Sequence, residues 1–126
     1  MNKALILYIE DNHDNRKLVS RVLESEGYTI VGVEDGPTGL AFVEEKRPDL
    51  ILIDLQLPNI DGYEITRKLR QLKGLEDIPI IALSAYVSQE DKDKCFAAGC
   101  DGFINKPIDV DSITKEIESY LDDTRS

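Results

Sequence analysis

The hydrophobic positions of this chain are concentrated in five short apolar runs, each followed by a polar segment. The central run, residues 50–53, is Leu-Ile-Leu-Ile, and it ends on Asp54. An apolar run without polar alternation predicts a strand that is covered on both faces, as in a parallel sheet. The other runs are residues 4–9, 28–33, 78–83 and 101–104, of which the second is weakened by Gly32. The pattern therefore predicts five strands.

The segments between and after these runs have apolar residues at helical spacing or strong helix-start signals. The first predicted helix is capped by Asn12 or Asp14 and closed by Gly27, and Pro37 starts the second. The apolar residues at helical spacing are Leu18, Val19, Val22 and Leu23, then Leu40 and Val43, which are predicted to face the core, then Ile65, Leu69 and Leu72, and finally Ile113, Ile117, Tyr120 and Leu121.

The fourth helix differs from the others because its first turns are polar. Ser88 and Asp91 form a start resembling a capping box, Gly99 ends the helix, and residues 89–94 are all polar. Since it has little apolar area to bury, this helix is predicted to be the element that shifts most easily.

Alternation of five strands with five helices predicts an α/β fold with one doubly wound parallel sheet. We expect the domain to span residues 1–122, with a frayed polar tail over 123–126. Because crossovers between parallel strands are right-handed, the carboxyl ends of all five strands share one edge. That edge collects Glu10, Asp11, Asp54, Ser84 and Lys106.

Composition limits the classes of partner. The 126 residues carry a net charge of -10, with 25 acidic and 15 basic side chains. Such a surface repels nucleic acid and anionic membranes, so proteins or cations are the expected partners. Cys95 and Cys100 lack metal-site or redox spacing and are predicted to be reduced thiols. The first apolar run is too short for a signal peptide or a membrane span, which favours a cytoplasmic protein.

Four strand-end motifs together resemble the receiver domain of bacterial two-component response regulators. They are residues 8–12 (Tyr-Ile-Glu-Asp-Asn), 51–58 (Ile-Leu-Ile-Asp-Leu-Gln-Leu-Pro), 82–85 (Ala-Leu-Ser-Ala) and 105–107 (Asn-Lys-Pro). The resemblance spans the whole chain, and the polar tail favours a stand-alone, single-domain member. It implies a flavodoxin-like sheet of order 2-1-3-4-5.

The resemblance also implies roles for individual residues. Asp54 matches the phosphoacceptor, and Lys106 matches the lysine that pairs with the phosphoryl group. Ser84 and Phe103 match the switch hydroxyl and the switch aromatic residue. The implied magnesium ligands are Glu10, Asp11, Asp54 and the backbone carbonyl of Gln56. Two finer expectations are a cis Lys106–Pro107 peptide and an influence of Tyr86 on phosphate hydrolysis.

Elementary electrostatics supports such a site independently. Two like charges about 4 Å apart cost roughly 4 kcal/mol at an effective dielectric constant of 20, so clustered carboxylates require a cation. Oxygen-only ligands select a hard ion, and Mg²⁺ is the one that keeps waters and accepts a phosphoryl oxygen. Lys106 adds a positive charge and Ser84 a hydrogen-bond donor. In-line phosphoryl transfer requires little more than such positioning and neutralisation.

Three other functions share part of this pattern. A dehalogenase-type enzyme places a second Asp two residues after the first, where this chain has Gln56. A flavodoxin needs a phosphate-binding loop after the first strand, and Glu10-Asp11 would repel phosphate. A receiver-shaped interaction module that is never phosphorylated remains the alternative. His13 lies beside the acidic pair, but a lone His at a helix start is more often simply exposed.

The expected partners follow from the resemblance. A sensor histidine kinase or a histidine phosphotransfer protein would donate the phosphoryl group to Asp54. A downstream protein would bind the face formed by the fourth helix, fifth strand and fifth helix. The chain would be a signalling domain rather than an enzyme, although it would assist its own phosphorylation and dephosphorylation. It would be a monomer, or a weak dimer on phosphorylation.

Overall fold

The computed structural model describes residues 4–55, 62–85, 88–106 and 108–125, with side chains described as far as residue 121. Strands and helices alternate along the whole chain, as the apolar pattern predicts. In order they are β1 (Leu5–Ile9), α1 (His13–Ser25), β2 (Thr29–Val33), α2 (Gly36–Glu45), β3 (Leu50–Asp54), α3 (Gly62–Gln71), β4 (Ile80–Ser84), α4 (Gln89–Ala98), β5 (Gly102–Asn105) and α5 (Ile113–Arg125).

The five strands form one sheet of order β2-β1-β3-β4-β5, and every neighbouring pair is parallel. The predicted flavodoxin-like order is thus confirmed. Ile9 is in register with Ile53, and Asp54 with Leu83. The carboxyl ends of β1, β3 and β4 consequently lie side by side, where an open α/β sheet presents its crevice.

The sheet separates two hydrophobic cores. One core packs alternate strand residues such as Ile6, Tyr8 and Leu52 against apolar side chains of α1 and α5. The other packs the intervening strand residues, including Leu7 and Ile53, against side chains of α2, α3 and α4. Because successive strand side chains point to opposite faces, two uninterrupted cores require strands that are apolar at every position.

Local capping accounts for where several helices begin and end. Asn12, rather than Asp14, caps α1 by accepting a hydrogen bond from the backbone N–H of Asn15 at 2.8 Å. Ser88 caps α4, and its hydroxyl also donates to the Asp91 carboxylate, which confirms the predicted pairing. Gly99 follows α4 with a φ of +116°, a left-handed conformation that glycine adopts without steric cost.

The largest boundary difference lies at the end of the chain. Helix α5 runs to Arg125, past the predicted domain limit at residue 122, while the division into a domain and a polar tail stays a prediction. Helical backbone hydrogen bonds do not require apolar side chains, and the apolar pattern therefore marks only the packed part of a helix. No helix in the described ranges is long and apolar enough to cross a membrane. Cys95 and Cys100 are buried free thiols, as expected.

Candidate functional site

A buried charge cluster lies at the carboxyl edge of the sheet. Asp54, the last residue of β3, is only 2% exposed, and its Oδ2 accepts a hydrogen bond from Lys106 Nζ at 2.8 Å. The same ammonium lies 3.2 Å from Oε1 of Glu10, which is completely buried. Lys106 follows β5, and its backbone N–H donates to the carbonyl of Ser84. Strands β1, β3 and β5 thus each contribute one charged side chain to this cluster.

Three carboxyl groups of this cluster are close enough to share one cation. Ligand oxygens of Glu10, Asp11 and Asp54 all lie within 4.8 Å of one another. Lys106 neutralises one unit of their charge, which leaves an excess of two negative charges when all three are ionised. An all-oxygen donor set with this excess fits a hard divalent cation such as Mg²⁺. The acidic site is therefore compatible with Mg²⁺ and with phosphorylation of Asp54.

The electrostatics of Glu10 reflect burial beside a second acid. Burial is the larger cause, and the hydrogen bond and charge of Asp54 add to it; together they raise the pKa of Glu10 from 4.5 to about 7. Lys106 opposes this rise. Burial would lower the pKa of Lys106 itself, but the hydrogen bond and charge of Asp54, with those of Glu10, raise it. Lys106 therefore remains a cation within the site.

Tyr8 is a member of this site that sequence reasoning missed. Its hydroxyl donates to Oε1 of Glu10 at 3.2 Å, and both side chains are completely buried. Burial first, and then the neighbouring Glu10 charge, raise the pKa of Tyr8, so the hydroxyl stays a donor. The available signal was the spacing: residues two apart on a strand point to the same face, which brings Tyr8 and Glu10 together.

Ser84 and Phe103 lie next to each other across the outer pair of strands. Ser84 ends β4 and is 3% exposed, and it is in register with Asn105 of β5. Phe103 of β5 is in register with Ala82, which lies two residues before Ser84 on β4. Ala82 and Ser84 therefore point to the same face of the sheet as Phe103. The half-buried Phe103 ring packs against the core beneath α2, α3 and α4. The two predicted switch residues are thus neighbours on one face of the sheet.

The charged groups occupy the opposite face from this pair. Leu52 and Asp54 are alternate residues of β3, and Leu52 belongs to the core under α1 and α5. Glu10 follows Tyr8 on the same face, as their hydrogen bond shows. Ser84 instead follows Ala82 on the α2–α4 face. Glu10 and Asp54 therefore lie on one face of the sheet edge, and the predicted switch residues lie on the other.

The loop from β1 to α1 holds the acidic pair and contains a second residue that the sequence did not indicate. The guanidinium of Arg16 donates to the backbone carbonyls of Glu10 at 2.7 Å and Asp11 at 3.1 Å. His13 is exposed, and its Nδ1 lies 3.4 Å from the Arg16 guanidinium, outside the acidic cluster. This placement agrees with the expectation that a lone His at a helix start is exposed.

A glycine allows the chain to pass closely behind Asp54. A Cβ on Gly62 would lie 2.6 Å from the Cα of Leu55 and 2.8 Å from the carbonyl oxygen of Asp54. Both are backbone atoms, which cannot rotate away as the end of a side chain could. The N–H of Gly62 also donates to the Leu55 carbonyl at 3.2 Å. The start of α3 is therefore packed directly against the end of β3.

Three sequence-based expectations fall outside the described residues. They concern the backbone carbonyl of Gln56 as a magnesium ligand, the role of Tyr86, and the cis peptide at Lys106–Pro107. All three stay predictions, as do the assigned roles of Asp54, Ser84, Lys106 and Phe103.

Comparison with known proteins relates this site to a family. The profile described as "Response regulator receiver domain" matches residues 6–118. The polar-differentiation response regulator DivK of Brucella anthropi is 38% identical over 118 residues, which cover 94% of this chain and 96% of DivK.

Solved structures resemble the fold of this chain. Chemotaxis response regulator CheY4 of Vibrio cholerae superimposes with a TM-score of 0.91 at 28% identity, covering 94% of this chain and 99% of CheY4. The receiver domain of sensor histidine kinase PA1611 from Pseudomonas aeruginosa has a TM-score of 0.87 at 34% identity, over 94% of this chain and 98% of that domain. That receiver was solved with a magnesium ion coordinated in its active-site cleft. The chain described here belongs to the response regulator receiver domain family, which makes it a signalling domain of two-component systems rather than a classical enzyme.

Proposed function

We propose that Asp54 accepts a phosphoryl group from a phosphohistidine of a sensor histidine kinase or histidine phosphotransfer protein. A carboxylate oxygen of Asp54 forms a bond to phosphorus while the bond from phosphorus to the histidine nitrogen breaks, and that nitrogen keeps the electron pair. The observation that carries the proposal is the convergence of Asp54, the acidic pair and Lys106 within hydrogen-bond or cation-sharing distance.

The proposed metal is Mg²⁺, held by Glu10, Asp11 and Asp54, with the Gln56 carbonyl as an additional ligand. When bound, Mg²⁺ offsets the negative charge that carboxylates and phosphoryl oxygens bring together. The assignment of the metal as Mg²⁺ is supported by the oxygen-only donor set and by the excess negative charge of the cluster. The magnesium ion in the PA1611 receiver domain is consistent with this assignment.

Lys106 and Ser84 are the proposed groups with which the domain assists phosphorylation and dephosphorylation. The Lys106 ammonium already contacts the Asp54 carboxylate, where it can hold one phosphoryl oxygen by charge. Ser84 lies at the end of the adjacent strand and supplies a hydroxyl donor. Dephosphorylation returns the Asp54 carboxylate and inorganic phosphate after water attacks phosphorus.

The proposed output surface is the face formed by α4, β5 and α5, which would bind a downstream protein. A cleft of about 320 Å³ on this face is lined by Lys92, Phe96, Phe103 and Tyr120, among others. Phe96 is 50% exposed, so its ring is accessible to a partner. The net charge of -10 disfavours nucleic acid as the direct target, and the cytoplasm is the proposed location.

Phosphorylation can be tested directly with small phosphodonors. Acetyl phosphate or phosphoramidate with Mg²⁺ should give a labile phosphate adduct by intact-mass spectrometry. The adduct should be absent from Asp54→Asn and after addition of EDTA. Asp35→Asn is the matched control, because Asp35 is an exposed helix cap and Asn caps equally well. An equal yield in Asp54→Asn or in EDTA would contradict the proposal and favour the interaction module that is never phosphorylated.

A further inference from the structure

We infer that Arg16 is a positioning residue that holds the β1–α1 loop so that the Asp11 carboxylate faces the shared cation site. The inference rests on the proposed Mg²⁺ site. Its basis is the pair of hydrogen bonds from one guanidinium to the carbonyls of Glu10 and Asp11.

Besides these two hydrogen bonds, the loop is held by the Asn12 N–H, which donates to Oε2 of Glu10 at 3.4 Å. The Glu10 N–H extends the pairing of β1 with β2, because it donates to the backbone carbonyl of Val33 at 2.9 Å. Asp11 is exposed, and within the described ranges no hydrogen bond to its carboxylate is found. The direction in which the Asp11 side chain leaves the backbone is set by the peptide planes on either side of it. Fixing the carbonyls of residues 10 and 11 fixes both planes.

The position of Arg16 is itself determined by α1 and β2. Its backbone N–H donates to the Asn12 carbonyl in the first turn of α1, so the side chain starts beside the loop. Its stem then passes over β2 at Gly32, where a Cβ would lie 3.4 Å from Arg16 Cδ. Gly32 forms part of a cleft of about 410 Å³ that is also lined by His13, Lys17 and Ser20. Gly32, which weakens the β2 apolar pattern, thus lies beside the arginine stem.

Charge and positioning predict opposite effects of removing Arg16. A guanidinium beside a cation site repels the cation, so deletion of its charge alone should strengthen Mg²⁺ binding. If Arg16 orients Asp11, its deletion should instead weaken Mg²⁺ binding. Groups that orient metal ligands typically change affinity by about 10–100-fold when they are mutated. The sign of the change therefore separates the two roles.

The test compares Mg²⁺ affinity in Arg16→Met, Arg16→Lys and Lys17→Met by isothermal titration calorimetry. We expect Arg16→Met to bind Mg²⁺ about tenfold more weakly. Both bonds come from Nη1 of a planar guanidinium, whereas Arg16→Lys keeps the charge on a compact ammonium at the end of a different side chain. It should therefore hold the two carbonyls less well and also bind Mg²⁺ more weakly than the wild type. Lys17→Met removes the same charge from the same cleft and should bind as well as the wild type, or better.

Amide hydrogen exchange in EDTA provides a readout that does not depend on the metal. In Arg16→Met and Arg16→Lys, exchange at Asp11 and Asn12 should accelerate, while exchange in β3 stays unchanged. Unchanged or tighter Mg²⁺ binding in both Arg16 variants would overturn the inference, even if their thermal midpoints fall. If the wild type fails to bind Mg²⁺, the proposed function fails, and unaltered exchange at Asp11 and Asn12 would then overturn the inference separately.

Discussion

At the scale of single residues, the buried Glu10 carboxyl makes the site sensitive to pH. Its folded-state pKa of about 7 lies above the ordinary value of 4.5, so the folded protein binds more protons than the unfolded chain between these values. A raised carboxyl pKa contributes stability below the unfolded pKa, and that contribution is lost as pH rises through the folded pKa.

We therefore predict that Glu10 makes the metal-free protein less stable as pH rises from about 5 to about 8. Urea unfolding in EDTA should show this decline in the wild type and a smaller one in Glu10→Gln, which cannot ionise. Saturating Mg²⁺ should reduce the decline in the wild type, because the cation binds the ionised carboxylate. Equal pH slopes for the wild type and Glu10→Gln in EDTA would contradict the prediction.

At the scale of elements, the close packing of α3 against β3 makes Gly62 a sensitive position. Gly62→Ala would bring a Cβ within 3 Å of two backbone atoms at Asp54 and Leu55. Overpacking of this kind typically costs about 1–3 kcal/mol. Because the displaced atoms belong to Asp54 and its neighbour, we expect lower urea stability together with slower phosphorylation by acetyl phosphate.

Gly32→Ala is the matched control for this prediction. A Cβ at Gly32 makes only ordinary contacts, with the Arg16 stem at 3.4 Å and Ser20 Oγ at 3.8 Å. Its stability should be unchanged or higher by up to about 1 kcal/mol, since alanine restricts the unfolded chain. Equal stability and equal phosphorylation rates in both variants would show that α3 can move away from β3 at no cost.

Helix α4 is the element through which the proposed switch would act. Only Cys95 and Ala98 of this helix are buried, which agrees with its polar sequence and leaves little apolar contact to resist a shift. Phosphorylation adds about -1.5 to -2 charges at Asp54. Movement of Ser84 towards that charge would vacate space for Phe103, its neighbour on the same face.

Binding of beryllium fluoride, a mimic of the phosphoryl group, should reveal this movement. With Mg²⁺ present, the largest remote changes in amide shifts and exchange rates are expected over residues 84–104. A switch that reverses its populations needs about 5.5 kcal/mol, within the range of a few charge-assisted hydrogen bonds. If the largest remote changes fall on α1 around Leu18 to Leu23, the proposed output face is wrong.

At the scale of the whole molecule, the sheet and its helices were predictable because each element repeats one simple pattern. Apolar runs located all five strands, but individual boundaries shifted. β4 was predicted over 78–83 and lies at Ile80–Ser84, because Ser84 pairs with Asn105 despite its polar side chain. A hydroxyl at the end of a strand looks like the start of a loop in sequence. Its pairing depends on a strand that comes later in the chain.

Only the part of the site that is formed by residues at the ends of strands could be predicted from the sequence. Glu10, Asp11, Asp54 and Lys106 could be placed together because parallel strands end at one edge. The contacts of Tyr8 and Arg16 were missed for different reasons. Tyr8 was hidden in an apolar run that explained it as core. The reach of Arg16 to carbonyls five and six residues earlier depends on the conformation of the intervening loop, which residue types alone do not determine.

The division of the site between two faces of the sheet bears on how related genes diverge. Glu10 and Asp54 lie over the core of α1 and α5, whereas Ser84 and Phe103 face α2, α3 and α4. With the proposed output face, substitutions around α4 would change which target is recognised without altering Glu10, Asp54 or Lys106. After a gene duplication, one copy would thus acquire a new target while both copies retain the same charged groups at the site.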